Sequence, residues 1–162
     1  MFQPDLTMEK AHHFSRLDSS HVLSPCSPHV VMLEETNWPS MEHYFQIHVA
    51  GNGSQIAMLK SLDAVSAYHF ARPWYRRKSK GWKSSRRVLM TRAAYTKAQM
   101  YPEVKTFLLN TGESLLVETS LYDYYWGIGR DQRGENMLGK IWMDVRAKLQ
   151  HDELNDKELI NG

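Results

Sequence analysis

The sequence predicts a mainly α protein: a single multihelical domain with one or two short β segments. Several stretches repeat apolar residues at the three- to four-residue spacing of a helix. Strand signals are confined to 29–33 and 114–120, and the second stretch could equally be a helical turn. The chain has 162 residues, 42% of them hydrophobic, which suits one domain with its own core.

The first half of the chain is predicted to alternate loops and helices. Residues 1–21 are polar and weakly patterned, and a loop with the first short strand follows them. A first helix is expected over 39–50, because the proline at its start suits a first helical position. A second helix is expected over 55–70. The stretch 72–81 contains a proline and a glycine, which favours a loop.

The second half is predicted to be more helical. Apolar periodicity indicates a third helix over 82–100. Pro102 is expected to open a fourth helix, and Gly112 to end it. The last helix is expected over about 136–150, with one apolar face buried, while the polar tail after it is expected to fray.

Composition favours a cytoplasmic protein. No apolar run approaches the roughly 18 residues that cross a bilayer, and the N-terminus lacks a basic-then-apolar signal pattern. The single cysteine, Cys26, has no partner for an internal disulfide, which fits a reducing compartment. We expect Cys26 to be a packing residue.

The net charge of +2 hides a strong asymmetry along the chain. No acidic residue lies between Asp63 and Glu103, whereas ten of the twenty Lys and Arg residues do. We call residues 72–97 the basic segment; Trp74 and Trp82 are interleaved with its charges. One interpretation is a solvated helix face. The other is a site for a phosphorylated ligand that carries a base, or for a nucleic-acid strand.

Several familiar kinds of site are absent from the sequence. There is no H-E-x-x-H pair and the eight histidines are scattered, so no metal site is expected. The "GIGRDQRG" stretch lacks the lysine and serine of a phosphate-binding P-loop. No G-x-S-x-G turn supports a serine hydrolase.

Two carboxylates stand next to aromatic residues. Glu42 falls in the first turn of its predicted helix, where an acid is favoured by the helix dipole without any further role. Asp123 lies between Tyr122 and Tyr124 with Trp126 close behind, a setting in which a carboxyl group can serve as acid, base or ion stabiliser. The plainer interpretation of Asp123 is a turn or capping aspartate.

The segment after Asp123 could hold an anion. Gly127 and Gly129 allow positive φ angles or close approach of the backbone to a ligand. Arg130, with Asn136 near a helix start, could then fix a phosphate. An ordinary loop-to-helix turn explains the same residues equally well.

Two long motifs resemble the NADAR (YbiA-like) family. They are "WPSMEHYFQ" at 38–46 and "DYYWGIGRDQRGENMLGKIWMDVR" at 123–146, and they occur in the family's order. Between them, "WKSSRRVLM" and "FLLNTGESLLVET" resemble the family's middle segments. The resemblance covers 22–149, which leaves 1–21 as an N-terminal extension and 150–162 as a C-terminal tail.

This resemblance implies a mainly helical YbiA-like domain that acts as an N-glycosidase without metal or redox cofactor. The implied substrates are phosphoribosylamino-pyrimidine intermediates of riboflavin synthesis or ADP-ribose attached to guanine. By the motifs, Glu42 and Asp123 would be catalytic, and Trp82 and Trp126 would bind the substrate by stacking. We therefore expect both carboxylates to reach one ring-lined cleft, where they share ion stabilisation and proton transfer.

Two positions depart from the family pattern. Val49 stands where the pattern has a lysine, and Pro25 where it has an asparagine. A cationic ligand contact is thus either missing or supplied by another basic residue. Two other classes of function stay open: a non-catalytic module for ADP-ribose or nucleotides, and a nucleic-acid-binding protein that uses the basic segment alone.

Overall fold

A computed structural model describes residues 10–162, so the first nine residues of the predicted extension lie outside the described part. The prediction of a mainly helical fold is confirmed. In this part of the chain six helices are found, and we number them in order: α1 Met41–Val49, α2 Gly53–Ser61, α3 Ala64–Ala71, α4 Trp82–Met100, α5 Pro102–Asn110 and α6 Met137–Asn161.

Four three-residue strands form two small sheets within residues 10–162: β1 His12–Phe14, β2 Val31–Leu33, β3 Thr36–Trp38 and β4 Leu116–Glu118. β2 and β3 form an antiparallel hairpin. Both turn residues, Glu34 and Glu35, have positive φ, as a two-residue type I′ turn requires. β1 pairs in parallel with β4, with His12 opposite Leu116. Phe14 at the end of β1 is buried in the core, so this part of the predicted N-terminal extension packs into the domain.

The predicted helix over 55–70 is wrong, because the chain forms two helices there. Each has a side-chain cap at its start: Asn52 accepts from the N–H of Gln55, and Asp63 accepts from the N–H of Ser66. Asp63 is extended and satisfies the first turn of α3, so the chain turns at this point although the apolar periodicity continues. After this turn α3 packs against α1.

The predicted fraying of the tail is also wrong, because α6 continues to Asn161. Its first half buries an apolar face that includes Leu138, Ile141 and Trp142. Beyond residue 150 the helix is mostly exposed, and an ion pair of 2.8 Å between Lys148 and Asp152, one turn apart, supports it. Within residues 10–162, no helix is both long enough and apolar enough to cross a membrane.

The main core lies between α1, α4 and α6, with β1 and β4 along one side. Lys97 of α4 is fully buried in it and thus adds nothing to the surface charge of the basic segment. Its ammonium donates to the carbonyl of Ser24 (3.0 Å) and to the Ser27 hydroxyl, and lies 5.9 Å from the Trp142 ring. Burial lowers the pKa of Lys97 to about 7.

This buried lysine predicts a pH-dependent stability. Between pH 7 and the ordinary lysine pKa, the unfolded chain binds a proton that the folded chain lacks, so the free energy of unfolding rises with pH in that window. Relative to Lys97→Met, the wild type should gain about 1 kcal/mol per pH unit from pH 7.0 to 8.5. Urea unfolding at several pH values measures this, and parallel curves for the two proteins would contradict it.

Candidate active site

A cleft opens where α1, α3, the start of α4 and the loop after β4 meet. Its volume is about 180 Å³, and an adjoining cavity of about 230 Å³ shares four wall residues with it, Tyr68, Arg72, Tyr122 and Asp123. The remaining walls of the cleft are Arg16, Phe45, Val49, Ala71, Lys78, Trp82 and Trp126. The two cavities together form one depression with aromatic and cationic walls.

Glu42 lies beneath this cleft rather than in its wall. Ser40 caps α1 and the Glu42 N–H donates to the carbonyl of Pro25, which fixes Glu42 at the start of the helix. The side chain is fully buried. Its carboxylate accepts from Arg16 at 2.7 and 2.9 Å and from the Gln46 amide at 2.7 Å. The expectation that both carboxylates face the cleft is therefore wrong for Glu42.

Arg16 covers Glu42 and forms the charged floor of the cleft. Its backbone N–H donates to the buried carboxylate of Glu118 (2.8 Å), while its guanidinium makes the bidentate pair with Glu42. The guanidinium carbon lies 4.9 Å from the ring centroid of Tyr68 and 5.4 Å from that of Trp126. Burial alone would lower the pKa of Arg16, but the Glu42 carboxylate outweighs it, so the guanidinium stays charged.

Asp123 is the carboxylate that lines the cleft. Its Oδ1 accepts from the backbone N–H groups of Tyr125 (3.0 Å) and Trp126 (2.8 Å), which makes it the turn aspartate of the plainer interpretation. The hydrogen bonds found within residues 10–162 leave its Oδ2 without a partner. Asp123 therefore builds its turn with one oxygen and keeps the other available.

Both predicted stacking residues also reach the cleft. Trp82, the first residue of α4, is half-buried, and three cations lie about 6 Å from its ring: Lys78, Lys83 and Arg86. Trp126 is more deeply buried and contacts Phe45 and Tyr125 edge-on, with ring centroids 5.3 and 4.8 Å apart. Of the two indoles, Trp82 is thus the more exposed and Trp126 the more buried.

Comparisons with known proteins agree with this architecture. A family model for the NADAR domain matches residues 3–150. The chain belongs to the NADAR domain family. It is also similar to the solution structure of Escherichia coli YbiA, with a TM-score of 0.77 and 26% identity over 89% of this chain and 87% of that one.

Relatives of this NADAR domain carry two kinds of name. An N-glycosidase of Nostoc punctiforme is 30% identical over 77% of this chain and 83% of its own length. The N-glycosidase YbiA of Shigella flexneri is 31% identical, with shares of 74% and 75%. The chloroplastic riboflavin biosynthesis protein PYRR of Zea mays is 31% identical over 76% of this chain, but the match spans only 22% of that protein.

In this NADAR domain the two glycines serve packing. A Cβ at Gly127 would collide with the buried carboxylate of Glu118. Gly129 has a φ of +71°, and a side chain there would meet the ring of Tyr124. These close contacts shape the loop that carries Asp123. The glycines themselves do not line the cleft.

Arg130 and Asn136 are not brought to the cleft. Arg130 is exposed on the turn that precedes α6. The Asn136 amide accepts from the N–H of Glu118 and donates to the carbonyl of Leu116, both at 2.9 Å, so it ties the start of α6 to β4. The cations that line the cleft are Arg16, Arg72 and Lys78 instead.

Sequence reasoning missed two residues that line the NADAR cleft, Arg16 and Tyr68, and the buried Glu118 that holds the backbone of Arg16. Arg16 stands alone in a polar stretch, and its partners are 26 and 102 positions away, so no local pattern marks it. Burial raises the pKa of Tyr68, which keeps its hydroxyl protonated. Glu118 lies in the motif segment "FLLNTGESLLVET", where it follows the buried Leu116 and Val117, and a carboxylate at the end of an apolar run was the available signal.

A larger cavity of about 450 Å³ lies on the other flank of α1, against Cys26 and His43. Among the residues described, its walls include no Lys, Arg or Trp. The Cys26 thiol lies 3.9 Å from the Glu42 carboxylate, and burial raises its pKa, so it is an inert packing residue. The smaller cleft, with its cationic and aromatic walls, is therefore the candidate active site. No cluster of three or more metal-ligating side chains is found within residues 10–162.

Loss of the buried Arg16–Glu42 pair should reduce stability far more than loss of an exposed ion pair. Glu42→Gln should lower the free energy of unfolding by about 3 kcal/mol or more, because a buried guanidinium loses its counter-charge. Asp144→Asn removes the same charge from an exposed pair with Arg87 (3.2 Å) and should cost less than about 1 kcal/mol. Urea unfolding of both variants tests this, and equal losses would refute the buried pair.

Proposed function

We propose that this NADAR domain is an N-glycosidase that hydrolyses the bond between a base nitrogen and the anomeric carbon of a phosphorylated ribose. The observation that carries the proposal is the cleft itself. It combines an available carboxylate, Asp123, with two indoles and three cations. The names of the relatives support the same reaction class.

The reaction needs stabilised positive charge at the sugar. As the C–N bond breaks, its electron pair stays on the nitrogen and the ribosyl centre becomes oxocarbenium-like. Asp123 Oδ2 stabilises that charge and takes a proton from the attacking water, whose oxygen bonds to the anomeric carbon. The proton that Asp123 took from the water passes to the leaving nitrogen, so Asp123 is again ionised and water is the only co-reactant. The protonated hydroxyl of Tyr68 lines the same wall and can hydrogen-bond the sugar or the water.

Glu42 acts through Arg16 in this proposal. Its carboxylate has no path to the substrate while the guanidinium covers it, but it fixes that guanidinium in the floor of the cleft. Fixed there, the guanidinium gives the sugar a rigid floor and maintains the packing of Phe45 and Trp126. We therefore assign Asp123 to the chemistry and Glu42 to positioning.

The favoured substrates are phosphoribosylamino-pyrimidines of the riboflavin type. Riboflavin biosynthesis appears in the names of the Zea mays relative and of a Vibrio vulnificus relative that is 32% identical over 88% of this chain and 40% of its own length. The two adjoining cavities together suit a ligand of that size rather than a large one. A cytoplasmic location stays a prediction from the sequence.

Asp123→Asn should lower the turnover number about 10²- to 10⁴-fold while leaving the fold intact. The amide oxygen can still accept both turn hydrogen bonds, so only the charge is lost. Asp131→Asn is the matched control, because exposed Asp131 makes the same kind of turn with the N–H of Arg133 outside the cleft. The assay incubates each protein with a phosphoribosylamino-pyrimidine and identifies the released base by mass.

The control should keep wild-type turnover. Equal activity of the wild type and Asp123→Asn would refute the assignment of Asp123. Tight binding of the substrate by the wild type without any released base would instead establish a non-catalytic binding module.

A second candidate function is removal of ADP-ribose from guanine, in nucleosides or in nucleic acid. The observation that favours it is the surface beside the cleft. Trp74 is 94% exposed and contacts Tyr75 edge-on, and cations of the basic segment surround them. Exposed rings among cations suit stacked bases and phosphates beyond the first ribose. This substrate would extend from the cleft across that surface.

The second candidate predicts salt-dependent binding of nucleic acid. Affinity for a single-stranded oligonucleotide should fall steeply between 50 and 200 mM salt and should weaken by about 1–3 kcal/mol in Trp74→Ala. It should survive Asp123→Asn, because that residue lies inside the cleft. Fluorescence anisotropy measures these affinities, and binding that ignores both salt and Trp74 would exclude this surface.

A further inference from the structure

Helix α1 contributes no charged side chain to the wall of the cleft. Only two residues of this helix line the cleft, Phe45 and Val49, and both are apolar. The family pattern has a lysine at position 49, so this chain lacks a cation that could be expected there. Position 49 nonetheless faces the cleft.

A second segment, residues 77–79, pairs with the backbone at the end of α1. The N–H of Ser79 donates to the carbonyl of Val49 (2.9 Å), the N–H of Gly51 donates to the carbonyl of Arg77 (2.9 Å), and Ala50 and Lys78 form an antiparallel bridge. The two backbones are so close that a Cβ at Gly51 would lie 2.7 Å from Arg77. Lys78 is therefore held by backbone pairing rather than carried on an unattached loop.

The Lys78 ammonium lies in the cleft without a counter-charge. It is partly buried, donates one hydrogen bond to the carbonyl of Ala71 (2.8 Å) and lies 6.0 Å from the ring centroid of Trp82. No salt bridge to Lys78 is found within residues 10–162, and two of its three N–H donors remain available. Burial and the nearby Arg16 lower its pKa, and only Glu42 acts in the opposite sense.

The other two cations of the cleft are less suited to hold an anion on their own. Arg16 is neutralised by Glu42 through two short hydrogen bonds. Arg72 is exposed at the rim, with its guanidinium 5.9 Å from the Tyr68 ring. A bound phosphate dianion would therefore stabilise Lys78 more than the other two cations. Its ammonium is partly removed from water, and no carboxylate pairs with it.

We propose that Lys78 is the principal phosphate-binding residue of the cleft and takes the place of a lysine at position 49, with Arg72 closing over the phosphate at the rim. The ligand class is a ribose 5-phosphate group, free or attached to a base. This inference rests on the proposed function for its substrate, but the binding that it describes can be measured without catalysis.

The test measures binding of ribose 5-phosphate and of ribose by calorimetry. Lys78→Met should weaken the binding of ribose 5-phosphate roughly 10- to 100-fold, as expected for losing a hydrogen-bonded charge pair. Lys80→Met is the matched control: Lys80 is exposed, belongs to the same segment and does not line the cleft. It should change the affinity less than twofold. Ribose should bind equally weakly to all three proteins.

A rescue variant separates a specific contact from a fold defect. Val49→Lys, added to Lys78→Met, should restore at least part of the lost affinity, because position 49 faces the same space. Lys78→Arg should retain phosphate binding, and thermal unfolding should show that all variants are folded. No binding of ribose 5-phosphate to the wild type, or equal losses in Lys78→Met and Lys80→Met, would overturn the inference.

Turnover distinguishes this inference from the proposed function. In the glycosidase assay, Lys78→Met should raise KM for the phosphorylated substrate much more than it lowers kcat. Phosphate binding through Lys78 in a wild-type protein that releases no base would leave the inference standing and end the glycosidase proposal. Unchanged KM in Lys78→Met would end the inference and leave the glycosidase proposal standing.

Discussion

The buried ion pair between Arg16 and Glu42 is the interaction on which the cleft depends. Two charges removed from water are stable only when they are paired and otherwise hydrogen-bonded, and both conditions hold here. The Gln46 amide donates a further hydrogen bond to Glu42, and the Glu118 carboxylate accepts one from the backbone N–H of Arg16. The pair and the hydrogen bond to Glu118 join the segment after β1 to α1 and β4, and the guanidinium gives the aromatic walls a charged floor.

Two loops position the other functional side chains around that floor. The loop after β4 is tied to α6 by Asn136 and presents Asp123 with one oxygen available. The segment before α4 is tied to the end of α1 by backbone pairing and presents Lys78 and Trp82. Carboxylate and ammonium thus reach the cleft on two different segments, which suits a ligand with a developing positive charge at one end and a phosphate at the other.

The sequence predicts this fold best where local signals are strong. Two helices, α1 and α5, were placed within a few residues, although only α5 begins at its proline; α1 begins at Met41, after the Ser40 cap, and not at Pro39. The split at Asp63 was missed because the apolar spacing continues across a cap whose effect depends on the backbone conformation. The motif residues Asp123, Trp82 and Trp126 reach the cleft as expected. Arg16 could not be predicted, because its role arises only when β1 pairs with a strand about 100 residues away.

The most direct test of this account is an experimental structure of the wild-type protein with ribose 5-phosphate bound. The account predicts that the hydrogen bonds between Arg16 and Glu42 persist, with the Asp123 carboxylate next to the anomeric carbon. If instead Arg16 leaves Glu42 for the ligand and the Glu42 carboxylate stands at the anomeric carbon, the division of roles between the two acids is wrong.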